Sequence, residues 1–238
     1  MMRDAVRTCG RKAASCVIPI ALVLASACSG SRPAQPAPEA AAPPSDAAAP
    51  LAAMKVVALG DSLTAGLGLD PAESYPALLE TRLRAAGFPV VVVNAGVSGD
   101  TTAGGLRRVD WALDASVKVM IVALGGNDGL RGLPAAEMTR NLSGIIERAQ
   151  ARHVTVILAG MEAPPNLGPE YTAAFRQVYR DLAAQYRVAF LPFLLAGVAG
   201  DPALNQSDGI HPNAAGARKV ADLLWPYVET AVRAWVTR

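Results

Sequence analysis

The sequence predicts an α/β fold, a three-layer α/β/α sandwich around a five-stranded parallel sheet. Three observations carry that expectation. Short, continuous apolar runs recur after residue 54, segments of helical pattern separate them, and several runs end in loops rich in Gly, Ser, Asn and Asp. Apolar runs without alternation suit strands covered on both faces. Alternation of strand and helix suits parallel strands joined by right-handed crossovers.

Lys55–Leu59 (KVVAL) predicts the first strand, ended by Gly60. Val90–Asn94 (VVVVN) predicts the second, Val117–Leu124 (VKVMIVAL) the third, Val154–Ala159 (VTVILA) the fourth and Val188–Leu191 (VAFL) the fifth. Between them, Ser74–Ala86 places leucines at 78, 79 and 83 before Gly87, a helix-stop residue. Thr102–Ala115, Pro134–Ala151 and Glu170–Tyr186 carry comparable patterns. Asn213–Val236 closes the chain as a helix, with Pro212 expected at its start.

The segment before residue 54 has a different character. Residues 1–27 combine four basic side chains (Arg3, Arg7, Arg11, Lys12) with an apolar run, Cys16–Ala27. Twelve apolar residues are too few to span a bilayer and suit the core of a signal peptide. Leu24-Ala25-Ser26-Ala27-Cys28 resembles the lipobox of bacterial lipoproteins, which implies lipidation of Cys28 and, with Ser29 next, an outer-membrane tether facing the periplasm. Ordinary cleavage near Ala25-Ser26-Ala27, leaving a soluble periplasmic or secreted protein, is the alternative. Residues 28–53 are rich in Ala, Pro and Ser without apolar periodicity, and read as a linker. The folded domain is expected at 54–238.

Composition narrows the function. The chain has 238 residues, 52% of them hydrophobic and 18% charged, enough apolar material for a core. Its formal charge of +2 comes from the leader; the rest is close to neutral. Nothing there marks a nucleic-acid partner. The three cysteines, Cys9, Cys16 and Cys28, all precede the domain, which holds only His153 and His211 as further soft ligands. A structural disulfide, a metal centre and a cofactor site are therefore not expected. Gly66 and Gly68 lack the third glycine of a dinucleotide loop, and Thr64 breaks the G-x-S-x-G elbow.

In parallel α/β sheets, chemistry gathers beyond the carboxyl ends of the strands. The loops expected there are Gly60-Asp61-Ser62-Leu63, Asn94–Asp100, Gly125-Gly126-Asn127-Asp128 and, before the last helix, Asp208-Gly209-Ile210-His211-Pro212. Together they supply a nucleophile, an acid and a base, an acyl-transfer constellation. These four blocks resemble those of the GDSL (SGNH) hydrolase family. Val97–Leu106, Leu124–Gly132 and Pro164–Gly168 are similar to its bacterial thioesterase/lysophospholipase and arylesterase branch. The resemblance spans 54–238. It implies a flavodoxin-like sheet and a cofactor-free serine esterase acting on small-molecule or lipid esters.

The residues can also be read singly. Ser62 needs an adjacent base, and His211 supplies it, since His153 precedes a strand on the opposite rim. Asp208, three residues before His211, reaches the imidazole across a turn at Gly209; a plain turn aspartate is the other reading. The backbone N–H groups of Ser62 and Gly99 and the amide of Asn127 form the expected oxyanion hole, although glycine and asparagine alone also suit turns. Asp61 and Asp128 read as supporting carboxylates, and Gly66 and Gly68 as tight-loop residues. A carbohydrate O-acetylesterase carries the same blocks, and a tethered, non-catalytic binding module is a further alternative. Apolar loops at Leu67-Gly68-Leu69 and Pro164–Leu167 favour an acyl or aryl substrate.

Overall fold

The computed structural model describes residues 54–237; the expected leader at 1–27, the expected linker at 28–53 and Cys28 lie outside the described residues. The strands are β1 (Met54–Gly60), β2 (Val90–Gly96), β3 (Val117–Ala123), β4 (Thr155–Ala159) and β5 (Ala189–Leu191). All pair in parallel, in the order β2-β1-β3-β4-β5. Val119, Met120, Ile121 and Val122 of β3 are fully buried, as the unbroken apolar run requires. Each such side chain contributes about 1.5–3 kcal/mol of burial.

The helices are α1 (Ser62–Ala65), α2 (Tyr75–Ala85), α3 (Thr102–Arg108), α4 (Gly126–Leu130), α5 (Ala135–Gln150), α6 (Pro169–Tyr186) and α7 (Ala214–Val236). Helices α2 and α7 pack on each other, with α7 against β3, β4 and β5. Helices α3, α5 and α6 pack in series, with α5 and α6 against β4.

The sheet register aligns the strand ends. Gly60, at the end of β1, pairs with both Gly96 of β2 and Ala123 of β3. Strands β2, β1 and β3 thus end level, and their exit loops start side by side. The chain leaves β1 toward β2 on one side and reaches β3 on the other, so this is also the topological switch point.

Two local readings need correction, and two short helices carry no signal in sequence. The helix expected over Thr102–Ala115 ends at Arg108 and tightens into a 3₁₀ turn, Val109–Ala112. Asp110 is drawn to Arg148 of α5 (2.9 Å) and to Arg152 in the turn after it (3.0 Å), and Arg152 also donates to the Leu113 carbonyl at 2.8 Å. Pro212 precedes α7 rather than opening it. Asn213 caps that helix, its side chain accepting from the N–H groups of Ala215 and Gly216. Finally, α1 and α4 have only four and five residues, too short to show a helical period in sequence.

Candidate active site

Ser62 is the first residue of α1, directly beyond β1. Asp61 caps this short helix, its Oδ1 accepting the Leu63 N–H at 3.0 Å. The helix ends after one turn because Gly66 adopts a left-handed conformation (φ 77°). Ser62 is thereby held at the end of the sheet and is 9% exposed.

The loop between β5 and α7 brings His211 onto it. His211 Nε2 lies 2.9 Å from Ser62 Oγ, and Nδ1 lies 2.6 Å from Asp208 Oδ2. The other oxygen of Asp208 accepts the backbone N–H groups of Ile210 (2.9 Å) and His211 (3.0 Å). Those two N–H groups, and then the imidazole, hold the Asp208 carboxyl down to about 2. Gln206 pins the loop: its backbone N–H donates to the His211 carbonyl (2.7 Å), and its side-chain amide donates to Leu67 O (2.7 Å) and Pro212 O (3.0 Å). The histidine loop is thus tied to the turn just after Ser62.

Asn127, on α4 beyond β3, donates from Nδ2 to the Asp100 carbonyl at 2.9 Å. The same nitrogen has only a long contact, 3.4 Å, to Asp61 Oδ2. One amide N–H therefore fixes the side chain, while the other is weakly engaged and available to a ligand. Asp61 is 2% exposed. Burial pushes its carboxyl up to about 6, opposed by the Leu63 N–H and the nearby His211. Gly99 sits in an exposed loop with φ 82°, which disfavours any other residue. Its carbonyl accepts from Arg131 Nη2 at 3.0 Å.

Asp128 turns away from this group. It is 1% exposed and takes the backbone N–H (2.8 Å) and hydroxyl (2.6 Å) of Thr102. Asn141 of α5 donates to the same hydroxyl at 3.0 Å. This buried network locks α3, α4 and α5 together behind the site. His153 lies in the exposed turn before β4, at the opposite end of the sheet, with its N–H on Gln150 O (2.9 Å).

A cleft of about 590 Å³ opens over Ser62 and His211. Its walls are largely apolar, with Leu130, Met161, Pro164, Pro165, Phe193 and Ile210 among them. That size and lining suit a small organic ligand. A narrower cleft on the other side of the Ser62–His211 pair is lined by Leu67, Leu69, Leu194 and Val220.

The family model for the GDSL-like lipase/acylhydrolase family matches residues 58–219. The chain belongs to this family. Esterase TesA of Pseudomonas aeruginosa is 45% identical over 176 residues, covering 74% of this chain and 88% of the relative. Thioesterase 1/protease 1/lysophospholipase L1 of Escherichia coli K12 is 37% identical over 172 residues, or 72% of this chain and 81% of the relative. The crystal structure of AlinE4, an SGNH-hydrolase family esterase, superposes with a TM-score of 0.63 at 48% identity, over 75% of this chain and 96% of that one. This GDSL-family chain is accordingly a carboxylic ester hydrolase with the SGNH hydrolase fold.

Within the GDSL-family fold, several supports escape sequence reading. Gln206, Arg108, Asp100 and Thr102 hold the loops, and Met161 and Phe193 line the cleft. Their side chains reach partners distant in sequence, so no local pattern marks them. The capping position of Asp61, one residue before Ser62, was the one available signal for its role.

Proposed function

We propose that this chain is a serine esterase in which Ser62 is the nucleophile, His211 the base and Asp208 the group that orients the imidazole. The observation that carries the reading is the Ser62 Oγ–His211 Nε2–Asp208 relay, with separations of 2.9 and 2.6 Å. His211 takes the Ser62 proton as Oγ attacks the ester carbonyl. The oxyanion accepts the N–H groups of Ser62 and Gly99 and the weakly engaged amide N–H of Asn127. His211 then passes its proton to the leaving oxygen or sulfur. Water, deprotonated by His211, attacks the acyl-enzyme, and Ser62 recovers its proton as the acid departs.

The largely apolar cleft supports an ester with an acyl or aryl group, of the arylesterase, lysophospholipase or acyl-thioesterase type, over a carbohydrate O-acetyl ester. A panel of p-nitrophenyl esters, lysophospholipids, acyl thioesters and acetylated sugars tests this, alongside a serine-directed phosphonate. Labelling at Ser62 with turnover of acyl or aryl esters is expected. Labelling elsewhere sinks the nucleophile assignment, and preferential turnover of acetylated sugars sinks the substrate class.

For the rest of the chain we propose export, removal of 1–27 and lipidation of Cys28, with 28–53 tethering a hydrolase domain at 54–238. Support comes from the basic and apolar leader, the small residues before Cys28 and the Pro-rich stretch after it. An extended linker at roughly 3.1 Å per residue spans about 75–80 Å. Mass spectrometry of the mature N-terminus decides: an acylated Cys28 supports the tether, and an unmodified N-terminus at or beyond Ala27 replaces it with a soluble protein.

A further inference from the structure

We propose that Arg108 is a positioning residue for the oxyanion donors, its guanidinium binding together the segments that carry them. The inference rests on the proposed Ser62 site and adds a residue outside its four sequence blocks.

The geometry is a three-way fork. Nη2 donates to Gly60 O at 2.7 Å, Nη1 to Ala95 O at 2.7 Å, and Nε to Asp100 Oδ2 at 2.6 Å. Gly60 directly precedes Asp61 and Ser62. Ala95 lies at the end of β2, in the segment leading to Gly99. Asp100 comes directly after Gly99, and its carbonyl is the anchor of Asn127 Nδ2 at 2.9 Å. One side chain on α3 thus reaches the backbone before the first donor, the strand end before the second, and the residue that aims the third.

Two further features show that the fork is built in. The Arg108 and Asp100 side chains are only 24% and 17% exposed, so the pair is largely withdrawn from water. A Cβ on Gly104 would stand 2.3 Å from Asp100 Oδ1. The carboxylate therefore rests against the α3 backbone in space that only glycine leaves. The planar guanidinium matches such a divergent set of acceptors, whereas a lysine ammonium offers a single point of contact.

A purely structural staple would lower stability without acting through the donors, and a double-mutant cycle separates the two roles. The variants R108M, R108K, D100N, N127A and R108M/N127A of the full chain are assayed for kcat and KM with a p-nitrophenyl ester, below their melting temperatures. R108M is expected to lower kcat by about 10- to 100-fold with KM within about threefold, because the lost interaction is made in the transition state. Added to N127A, it is expected to cost at least about threefold less than it does alone, because the share of its effect that runs through Asn127 is already lost. R108K is expected to recover little.

Multiplicative losses in the double variant, or a folded R108M within twofold of the parent, overturn the inference. Should R108M fail to fold, D100N removes the ion pair while keeping the backbone anchor, and the same non-additivity with N127A is required of it. N127A at the parental kcat overturns both this inference and the proposed oxyanion hole. A damaged N127A with multiplicative losses overturns this inference alone.

Discussion

Asp208 grips His211 twice: one carboxylate oxygen accepts the histidine's backbone N–H at 3.0 Å and the other meets its Nδ1 at 2.6 Å. The ring and its own backbone are thus referred to a single anchor, so ring orientation is set by the turn at Gly209. The second turn N–H, from Ile210, completes the grip at 2.9 Å.

This arrangement predicts that Asp208 stays ionised throughout the working range. Its carboxyl is held down to about 2, against an ordinary 3.8. A depressed carboxyl contributes stability that is present above pH 3.8 and lost as pH falls through about 2. Asp208→Asn is therefore expected to lower kcat by about 10²–10⁴ with the same relative loss at pH 5 and pH 8. A loss that vanishes at pH 5 shows that the parent carboxyl is already protonated there.

Ser62→Ala removes one oxygen, whose hydrogen bond is to the His211 ring. It is expected to abolish ester hydrolysis and phosphonate labelling while leaving the melting temperature near that of the parent. His211→Ala is expected to be almost as damaging, since members of such a relay act as a unit. His153→Ala, in the exposed turn before β4, is expected to keep activity within a few-fold. Kinetics on the three variants check the assignment, and an inactive His153→Ala beside an active His211→Ala reverses it.

Asn127→Ala is expected to reduce kcat by about 10²–10³, the scale of one lost oxyanion donor, with little change in KM. The amide is already fixed on the Asp100 carbonyl, so its second N–H needs no reorganisation. A variant altered in KM alone makes Asn127 a binding residue.

Asp61 predicts a pH dependence of stability with the opposite sign to that of Asp208. Its carboxyl is raised to about 6 in the fold, chiefly by burial, against 3.8 when free. Between those values the folded state keeps a proton that the unfolded chain has lost, so stability falls as pH rises through the window. The rise from 3.8 to about 6 corresponds to about 3 kcal/mol. Urea unfolding at pH 4 and pH 7 is expected to show this decline in the parent and its absence in Asp61→Asn. Equal pH dependence in both rejects a raised Asp61.

The sequence by itself determined the succession of strands along the chain and the loops that carry chemistry. Unbroken apolar runs such as Val119–Leu124 report burial on both faces, and Gly60-Asp61-Ser62-Leu63 is contiguous. Asp208 and His211 lie three positions apart across one turn, so spacing alone expresses it. Helix limits were less legible where tertiary partners compete with propensity, as at Val109–Ala112, where Arg148 of α5 and Arg152 just beyond it hold Asp110 and the Leu113 carbonyl. Only the tertiary structure decided which groups converge. Ser62 meets His211 across 149 residues, Gln206 reaches Leu67 across 139, and Arg108 reaches Gly60 across 48. Neither the burial of Asp61 nor the weakly engaged amide N–H of Asn127 is written in any local window. Both arise because the paired ends of β1, β2 and β3 bring separate loops within hydrogen-bond distance, where low exposure to water sets the strength of each charge and each donor.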